Sequence, residues 1–219
     1  MASAAIWQWY KASRQQLDLI VVTTTTNHAI QNVVRSFLEF ANDLPERAVV
    51  FVQSAAAELQ LTIMKDKAWR DCRLSELLKE LLENKKTVLE KEEKFSIEEY
   101  VTKGMKHNGE NFKEYFAFDE VLFYYYPKII FGTTAMITKF AEQIAETGYQ
   151  ATKLIIDEAS SLTHLSFLSL ILQFPELNQI FLTGDIQQLP PYLGTLLELA
   201  REVGHNSCSE NLFKSDYFC

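Results

Sequence analysis

Short apolar stretches alternate with amphipathic stretches along most of the chain. Five stretches have the length and the apolar, partly β-branched composition of buried strands: 17–24, 48–54, 128–134, 153–160 and 178–185. Apolar residues at helical spacing occupy the stretches 2–17, 29–40, 138–148 and 161–174. Asn27 is the expected N-cap of the second helix, and Gly148 is expected to close the third. Strands separated by helices of this length predict an α/β protein whose parallel sheet is flanked by helices.

Residues 55–127 interrupt this alternation. Charges of both signs recur through the segment, its glycines are confined to Gly104 and Gly109, and its apolar residues return at helical steps. The pattern predicts a helical insertion with a solvated face. Its aromatic end, 116–127, is expected to pack against the main domain rather than to stack on bases. The chain is therefore divided into a first part of the α/β domain (1–54), the insertion (55–127) and a second part (128–219).

Composition narrows the functional classes. The formal net charge is −8, so a nucleic-acid site would have to be a local groove and not a basic surface. Three cysteines without CxxC spacing favour reduced thiols. The four histidines lie far apart and predict no metal site. No apolar run is long enough for a membrane span, so we expect no membrane association and a cytoplasmic or nuclear location.

Polar residues gather where the predicted strands end. They are Thr23–Asn27, Thr133, Asp157–Glu158 and Gly184–Gln188. Ligands of open parallel sheets bind at the carboxyl ends of the strands. This edge is therefore the expected functional edge of the sheet.

The stretch LIIDEAS (154–160) places two adjacent carboxylates at the end of an apolar strand. This arrangement suits phosphate hydrolysis, in which Asp157 would hold Mg²⁺ through hard oxygen ligands and Glu158 would polarise the attacking water. A plainer interpretation is also open, since acidic residues favour the beginning of a helix and the pair immediately precedes one.

A second stretch, FLTGDIQQLPPY (181–192), follows one helix later. Together the two stretches resemble motifs II and III of superfamily 1 helicases, most closely the group of the nonsense-mediated-decay helicase and senataxin. VVTTTTNHAIQNVV (21–34) is similar to motif Ia, and KIIFGTTAMI (128–137) is similar to the strand motif that follows it. The resemblance implies a RecA-like (P-loop NTPase) fold and ATP-driven movement along a single strand.

The resemblance also implies roles for individual residues at the nucleotide site. Asp157 would bind Mg²⁺, Glu158 would activate water and Gln188 would sense the γ-phosphate of ATP. Gly184 and Asp185 would belong to the same ATP and Mg²⁺ site. The expected cofactors are therefore ATP and Mg²⁺.

On the nucleic-acid side, Thr25, Thr26, Asn27 and Thr133 would contact the backbone of the strand. Their alternative role is to cap helices. The expected partner is single-stranded RNA or DNA, with RNA favoured by closeness to the decay helicases. Protein partners would contact the helical insertion.

A Walker A loop does not occur in the sequence, because none of the seven glycines is followed by lysine. By the resemblance, this loop would precede the first helix and a second RecA-like domain would follow Cys219. The sequence therefore predicts part of a first motor domain that does not hydrolyse ATP by itself. The alternative is a non-catalytic pseudo-helicase that binds nucleic acid or protein as a regulatory module.

Overall fold

The computed structural model describes residues 1–13, 17–41, 43–45, 47–54, 57, 71–84, 97–98 and 112–185, without the side chains of 112–117. The helices are α1 (Ala2–Ala12), α2 (Asn27–Phe40), α3 (Leu74–Asn84), α4 (Phe112–Tyr125), α5 (Thr134–Glu146) and α6 (His164–Leu172). The strands are β1 (Asp18–Thr24), β2 (Val49–Val52), β3 (Ile129–Thr133), β4 (Gln150–Ile156) and β5 (Gln179–Leu182). A short 3-10 turn, Ala159–Ser161, precedes α6.

The five strands form one parallel sheet in the order β2-β3-β1-β4-β5. All five predicted strands are present, and the predicted α/β class is confirmed as a parallel sheet flanked by helices, consistent with a partial RecA-like P-loop fold. The strand order was not readable from the sequence. The neighbours of β1 are β3 and β4, so β1 and β2 belong to one sheet without pairing directly.

Both faces of the four strands β1–β4 are largely buried, as is typical of a parallel sheet, whereas β5 is partly exposed. Along β1, Ile20 and Val22 face a core with α1 and α2, whereas Leu19 and Val21 face a core on the opposite side. This alternation follows from the two-residue period of a strand. Because β1 is central, all its residues after Asp18 are buried. Its polar end, Thr23 and Thr24, is therefore buried at the expected functional edge.

Helices α3 and α4 come from the predicted insertion; α3 packs on β2, and α4 packs on α3 and α5. One stripe of α3 is fully buried in the same core as the strands; it consists of Leu74, Leu77, Leu78 and Leu81. In α4, the Phe118 ring lies 4.4 Å from the Phe140 ring of α5, measured between centroids. The predicted packing of the aromatic segment against the main domain thus holds for Phe118. The division into 1–54, 55–127 and 128–219 stays a prediction.

The starts and ends of several helices differ from the predictions. Asn27 is not the N-cap of α2, because the preceding Thr26 has extended backbone and its hydroxyl accepts the Ala29 N–H at 3.2 Å. Asn27 is instead the first helical residue. Gly148 follows the end of α5 with φ +80°, a conformation that suits glycine, and so closes this helix as expected.

The segment predicted as one helix over 161–174 is divided. The 3-10 turn ends at Ser161, and α6 begins only at His164, with Thr163 as its N-cap. Among the described residues, β5 pairs only with β4, and Ile180 on β5 is 43% exposed. Within the same part of the chain, no helix combines the length and the apolar character needed to cross a bilayer.

Candidate functional site at the carboxyl edge of the sheet

The turn that carries Asp157 and Glu158 lies between the ends of two other strands. The Asp157 N–H donates to the Thr23 carbonyl of β1 at 3.0 Å. On the opposite side, the Ala159 N–H donates to the Thr183 carbonyl at 2.9 Å, and the Thr183 N–H donates to the Ile156 carbonyl at 2.9 Å. The backbone of this turn is thus fixed from both neighbours. The structure brings the predicted carboxylates, the end of β1 and the residues after β5 to one edge.

Glu158 has a left-handed backbone conformation, with φ 55° and ψ 38°. For a residue with a Cβ this conformation costs about 1–2 kcal/mol. The surroundings hold it there: the Glu158 carbonyl accepts the Ser161 N–H at 2.9 Å and the Ser161 hydroxyl at 2.8 Å. Strain of this kind is typical of functional positions, where the surrounding contacts over-determine one backbone geometry.

Gly184 lies directly against this turn. A Cβ on Gly184 would be 3.0 Å from the Ala159 nitrogen and 3.3 Å from the Ser160 nitrogen. Both contacts are with backbone atoms, which have little freedom to move aside. The exit of β5 can therefore approach the carboxylate turn this closely because residue 184 is glycine.

The carboxylate of Asp157 is partly buried and its charge is poorly solvated. Burial raises the pKa of Asp157, while the Glu158 backbone N–H and the positive charge of the N-terminus act in the opposite direction. A carboxylate that has lost part of its hydration gains from a nearby cation. Its oxygens are the hard ligands that Mg²⁺ prefers, and Mg²⁺ sites with phosphates often use only one or two carboxylates. Asp157 therefore fits the proposed metal.

The described residues contain no group of three or more His, Cys, Asp or Glu side chains close enough to hold a metal together. The described residues therefore do not form a metal site of three or more such protein ligands. Glu158 is partly exposed beside Asp157, and Asp185 is exposed beyond Gly184. Gln188 lies outside the described residues, so its predicted position near the carboxylates stays a prediction.

The predicted nucleic-acid residues have different environments. Thr26 and Asn27 are exposed at the beginning of α2, while Thr25 is half-buried just before them. Thr133 is only 8% exposed, and its hydroxyl accepts the Met136 N–H at 3.4 Å as the N-cap of α5. The capping alternative thus describes Thr26 and Thr133. Thr26 is capping and exposed at once, whereas the Thr133 side chain is directed inward.

A groove of about 580 Å³ opens beside these threonines, between the first turns of α5 and α6. We call it the hydroxyl groove, because seven of its ten lining residues carry a hydroxyl: Thr25, Thr134, Thr138, Ser161, Thr163, Ser166 and Ser169. Ala135, Leu162 and Leu165 complete the lining. These ten residues include no charged side chain, so the lining of the groove is uncharged although the chain is acidic.

Of the hydroxyl residues that line this groove, only Thr25 was given a predicted role from the sequence. A signal was present in SSLTHLSFLSL (160–170), where hydroxyl residues recur through an otherwise apolar helix. Ser166 and Ser169 are three residues apart and therefore share one face of α6. Thr134 was not singled out, because the resemblance assigned the nucleic-acid contact at the end of this strand to Thr133.

The parallel sheet flanked by helices is consistent with a protein of the P-loop NTPase-like class. A family model described as an AAA domain matches residues 3–194, which is most of the chain. The chain therefore belongs to this AAA domain family, and the match supports a helicase-like superfamily. No curated protein matches the chain in a sequence comparison.

Proposed function

We propose that this chain provides the Mg²⁺-binding and water-positioning part of an ATP-driven motor that moves on single-stranded nucleic acid. The observation that carries the proposal is the carboxylate turn, fixed by hydrogen bonds to the Thr23 and Thr183 carbonyls and strained at Glu158. Membership of the AAA domain family supports the use of a nucleotide with Mg²⁺. The motif resemblance supports a superfamily 1 helicase of the nonsense-mediated-decay helicase and senataxin group.

Each residue of the turn has a distinct role in this proposal. Asp157 holds Mg²⁺, which when bound neutralises the charge that develops on phosphate oxygens. Glu158 accepts a hydrogen bond from the attacking water and orients it, and its fixed backbone restricts where the carboxylate can reach. Gly184 keeps the exit of β5 against the turn. Asp185 would belong to the same site, and Gln188, which lies outside the described residues, would sense the γ-phosphate of ATP.

The nucleic-acid strand is proposed to cross the same edge at the hydroxyl groove. Thr25, Thr26 and Asn27 contact its backbone directly, since hydroxyls and amides suit sugar and phosphate contacts. Thr133 contributes by fixing the first turn of α5, because its own hydroxyl is used as the cap. RNA is favoured over DNA by the resemblance to the decay helicases.

The first test separates metal binding from hydrolysis. Mn²⁺ is titrated in place of Mg²⁺ and followed by electron paramagnetic resonance in the wild type, Asp157→Asn and Glu142→Gln. Asp157→Asn should weaken binding at least about tenfold, because it removes the charged ligand. Glu142→Gln removes one carboxylate charge from an exposed position of α5, outside the proposed site, and should change binding less. Equal effects of the two substitutions would contradict the assignment of Asp157.

The second test concerns ATP hydrolysis. We expect no hydrolysis by this chain alone, because its sequence contains no Walker A loop to hold the phosphates. ATPase activity that is stimulated by single strands and abolished by Glu158→Gln would overturn this expectation while supporting the motor. Glu158→Gln is suited to the test because it removes the charge without changing the side-chain length.

The sequence also keeps a second candidate function open, a non-catalytic module that binds nucleic acid or protein. The observation in its favour is again the lack of a glycine followed by lysine. Such a module would bind single strands with the same affinity with or without Mg²⁺ and ATP. A motor component should instead show single-strand binding that depends on them. The proposed protein partners of 55–127 belong to this candidate and are tested by co-purification with and without that segment.

A further inference from the structure

A chain of hydroxyl groups connects the hydroxyl groove to the backbone of Glu158. The hydroxyl oxygens of Thr25 and Ser161 are 2.7 Å apart, although the residues are 136 positions apart in sequence. The Ser161 hydroxyl in turn donates to the Glu158 carbonyl at 2.8 Å. Thr25 and Ser161 both line the groove. A ligand at Thr25 is therefore two hydrogen bonds away from the strained residue.

The direction of these hydrogen bonds follows from counting protons. A serine hydroxyl has one proton, and that of Ser161 is used in the bond to the Glu158 carbonyl. The bond between Thr25 and Ser161 must then be donated by Thr25. With its proton directed at Ser161, the Thr25 oxygen presents only a lone pair to the groove. It is an acceptor there, and it complements a ligand that donates.

Other hydroxyls of the groove also direct their protons into the protein. Thr134 donates to the Thr24 carbonyl at 3.2 Å, and Thr163 donates to the Ser166 oxygen at 2.8 Å. Thr25, Thr134 and Thr163 therefore present acceptors to a ligand, whereas Ser166, which accepts from Thr163, keeps its own proton as a donor. Phosphate oxygens are acceptors as well and would have to take the proton of Thr25 away from Ser161. A ribose 2′-hydroxyl can donate to Thr25 and leave the chain of bonds intact.

We propose that Ser161 is a positioning residue, which couples a ribose hydroxyl bound at Thr25 in the hydroxyl groove to the backbone geometry of Glu158. The ligand is single-stranded RNA, so this inference rests on the proposed function and extends it. The bond from Thr25 polarises the Ser161 hydroxyl and strengthens the bond that Ser161 donates, since neighbouring hydrogen bonds reinforce one another. Occupation of the groove thereby favours the left-handed conformation of Glu158.

The experiment follows the backbone amides of Glu158 and Ala159 by nitrogen-15 NMR, first without ligand. Thr25→Val and Ser161→Ala should shift the same two amide signals, and combining them should add little, because both break one chain. Ser161→Thr keeps a hydroxyl and should restore the wild-type positions. Unchanged Glu158 and Ala159 signals in Thr25→Val would overturn the connection.

The second arm adds a 15-nucleotide oligouridylate or its 2′-deoxy equivalent, with affinity measured by fluorescence anisotropy. RNA should bind the wild type about fivefold more tightly than DNA, the effect of about one hydrogen bond. RNA should also shift the Glu158 and Ala159 signals, and Ser161→Ala should abolish that shift while changing the affinity less than Thr25→Val does. Ser169→Ala removes a groove hydroxyl outside the chain from Thr25 through Ser161 to Glu158, so it should retain the shift.

The outcomes separate the two proposals. If the wild type binds neither oligonucleotide, the proposed function fails and the coupling fails with it, whatever the ligand-free spectra show. If both bind equally well, the ribose contact is wrong while nucleic-acid binding stands. If RNA binds and shifts the Glu158 signal equally in the wild type and in Ser161→Ala, only the role of Ser161 is overturned.

Discussion

Replacing Asp119 with asparagine should stabilise the protein at neutral pH. Asp119 lies in α4, and one of its carboxylate oxygens, Oδ1, is buried without a hydrogen-bond partner. Burial and, to a lesser extent, the nearby charge of Glu146 in α5 together raise the pKa of Asp119 to about 6. The charged form is therefore less favourable in the folded protein than in the unfolded chain.

The sign and size of the effect follow from linkage. The pKa of Asp119 is raised from 3.8 to about 6 on folding, so the folded state binds more protons between these values. Stability should fall as the pH rises through this window and should level off above it. A shift of about two units corresponds to about 3 kcal/mol at most. Because the carboxyl is only half-buried, solvent screening should reduce this to about 1 kcal/mol.

Urea unfolding, followed by circular dichroism at several values between about pH 4 and pH 7.5, measures the effect. The free energy of unfolding of Asp119→Asn should equal that of the wild type near pH 4 and should exceed it by about 1 kcal/mol above pH 7. Glu142→Gln removes a carboxylate from the exposed side of α5 and should leave the pH dependence unchanged. If the free energies of unfolding of Asp119→Asn and the wild type differ by the same amount at both ends of the pH range, the reasoning is refuted, because such a difference would not arise from titration.

Three other substitutions test particular contacts. Gly132→Ala should destabilise by about 1–3 kcal/mol in urea unfolding, because its Cβ would lie 2.7 Å from Val52 Cγ2; wild-type stability would contradict the packing. Asp18→Asn should destabilise by about 2 kcal/mol at pH 7, since Asp18 accepts hydrogen bonds from Thr152 at 2.6 Å and Lys153 at 3.2 Å. Burial alone would raise the pKa of Asp18, but these bonds lower it, so the loss should disappear as the pH falls below about 4. Glu158→Gly should melt higher than Glu158→Ala, because glycine alone removes the left-handed strain of about 1 kcal/mol; equal melting temperatures would contradict that strain.

The part of the fold that was readable from sequence depends on local periodicity. Strands β1–β4 are mostly continuous apolar runs because both faces of the sheet are covered there, and the helices between them have one apolar side. Asp157 and Glu158 could be singled out because two adjacent carboxylates follow such a run. Residues of this kind act through their own chemistry, so their type and position are informative before the structure is known.

The details that depend on the backbone around each residue could not be read in this way. Thr26 and Asn27 are both good N-caps, and the choice between them was decided by the extended conformation of Thr26 and its bond from Ala29. Thr133 and Thr134 are chemically identical, yet only the register of the β3 exit makes Thr134 line the groove. Neighbouring residues of one type can differ in role because their side chains point in different directions, and the sequence alone does not specify those directions.

The sequence by itself determined the α/β class, the edge at which polar residues gather and the carboxylate pair, because each depends on residues close together in the chain. The order β2-β3-β1-β4-β5, the packing of α3 on β2 and of α4 on α3 and α5, and the bond between Thr25 and Ser161 were decided by tertiary structure. Contacts between residues separated by more than 100 positions leave no periodic pattern, since neither residue constrains the neighbours of the other along the chain.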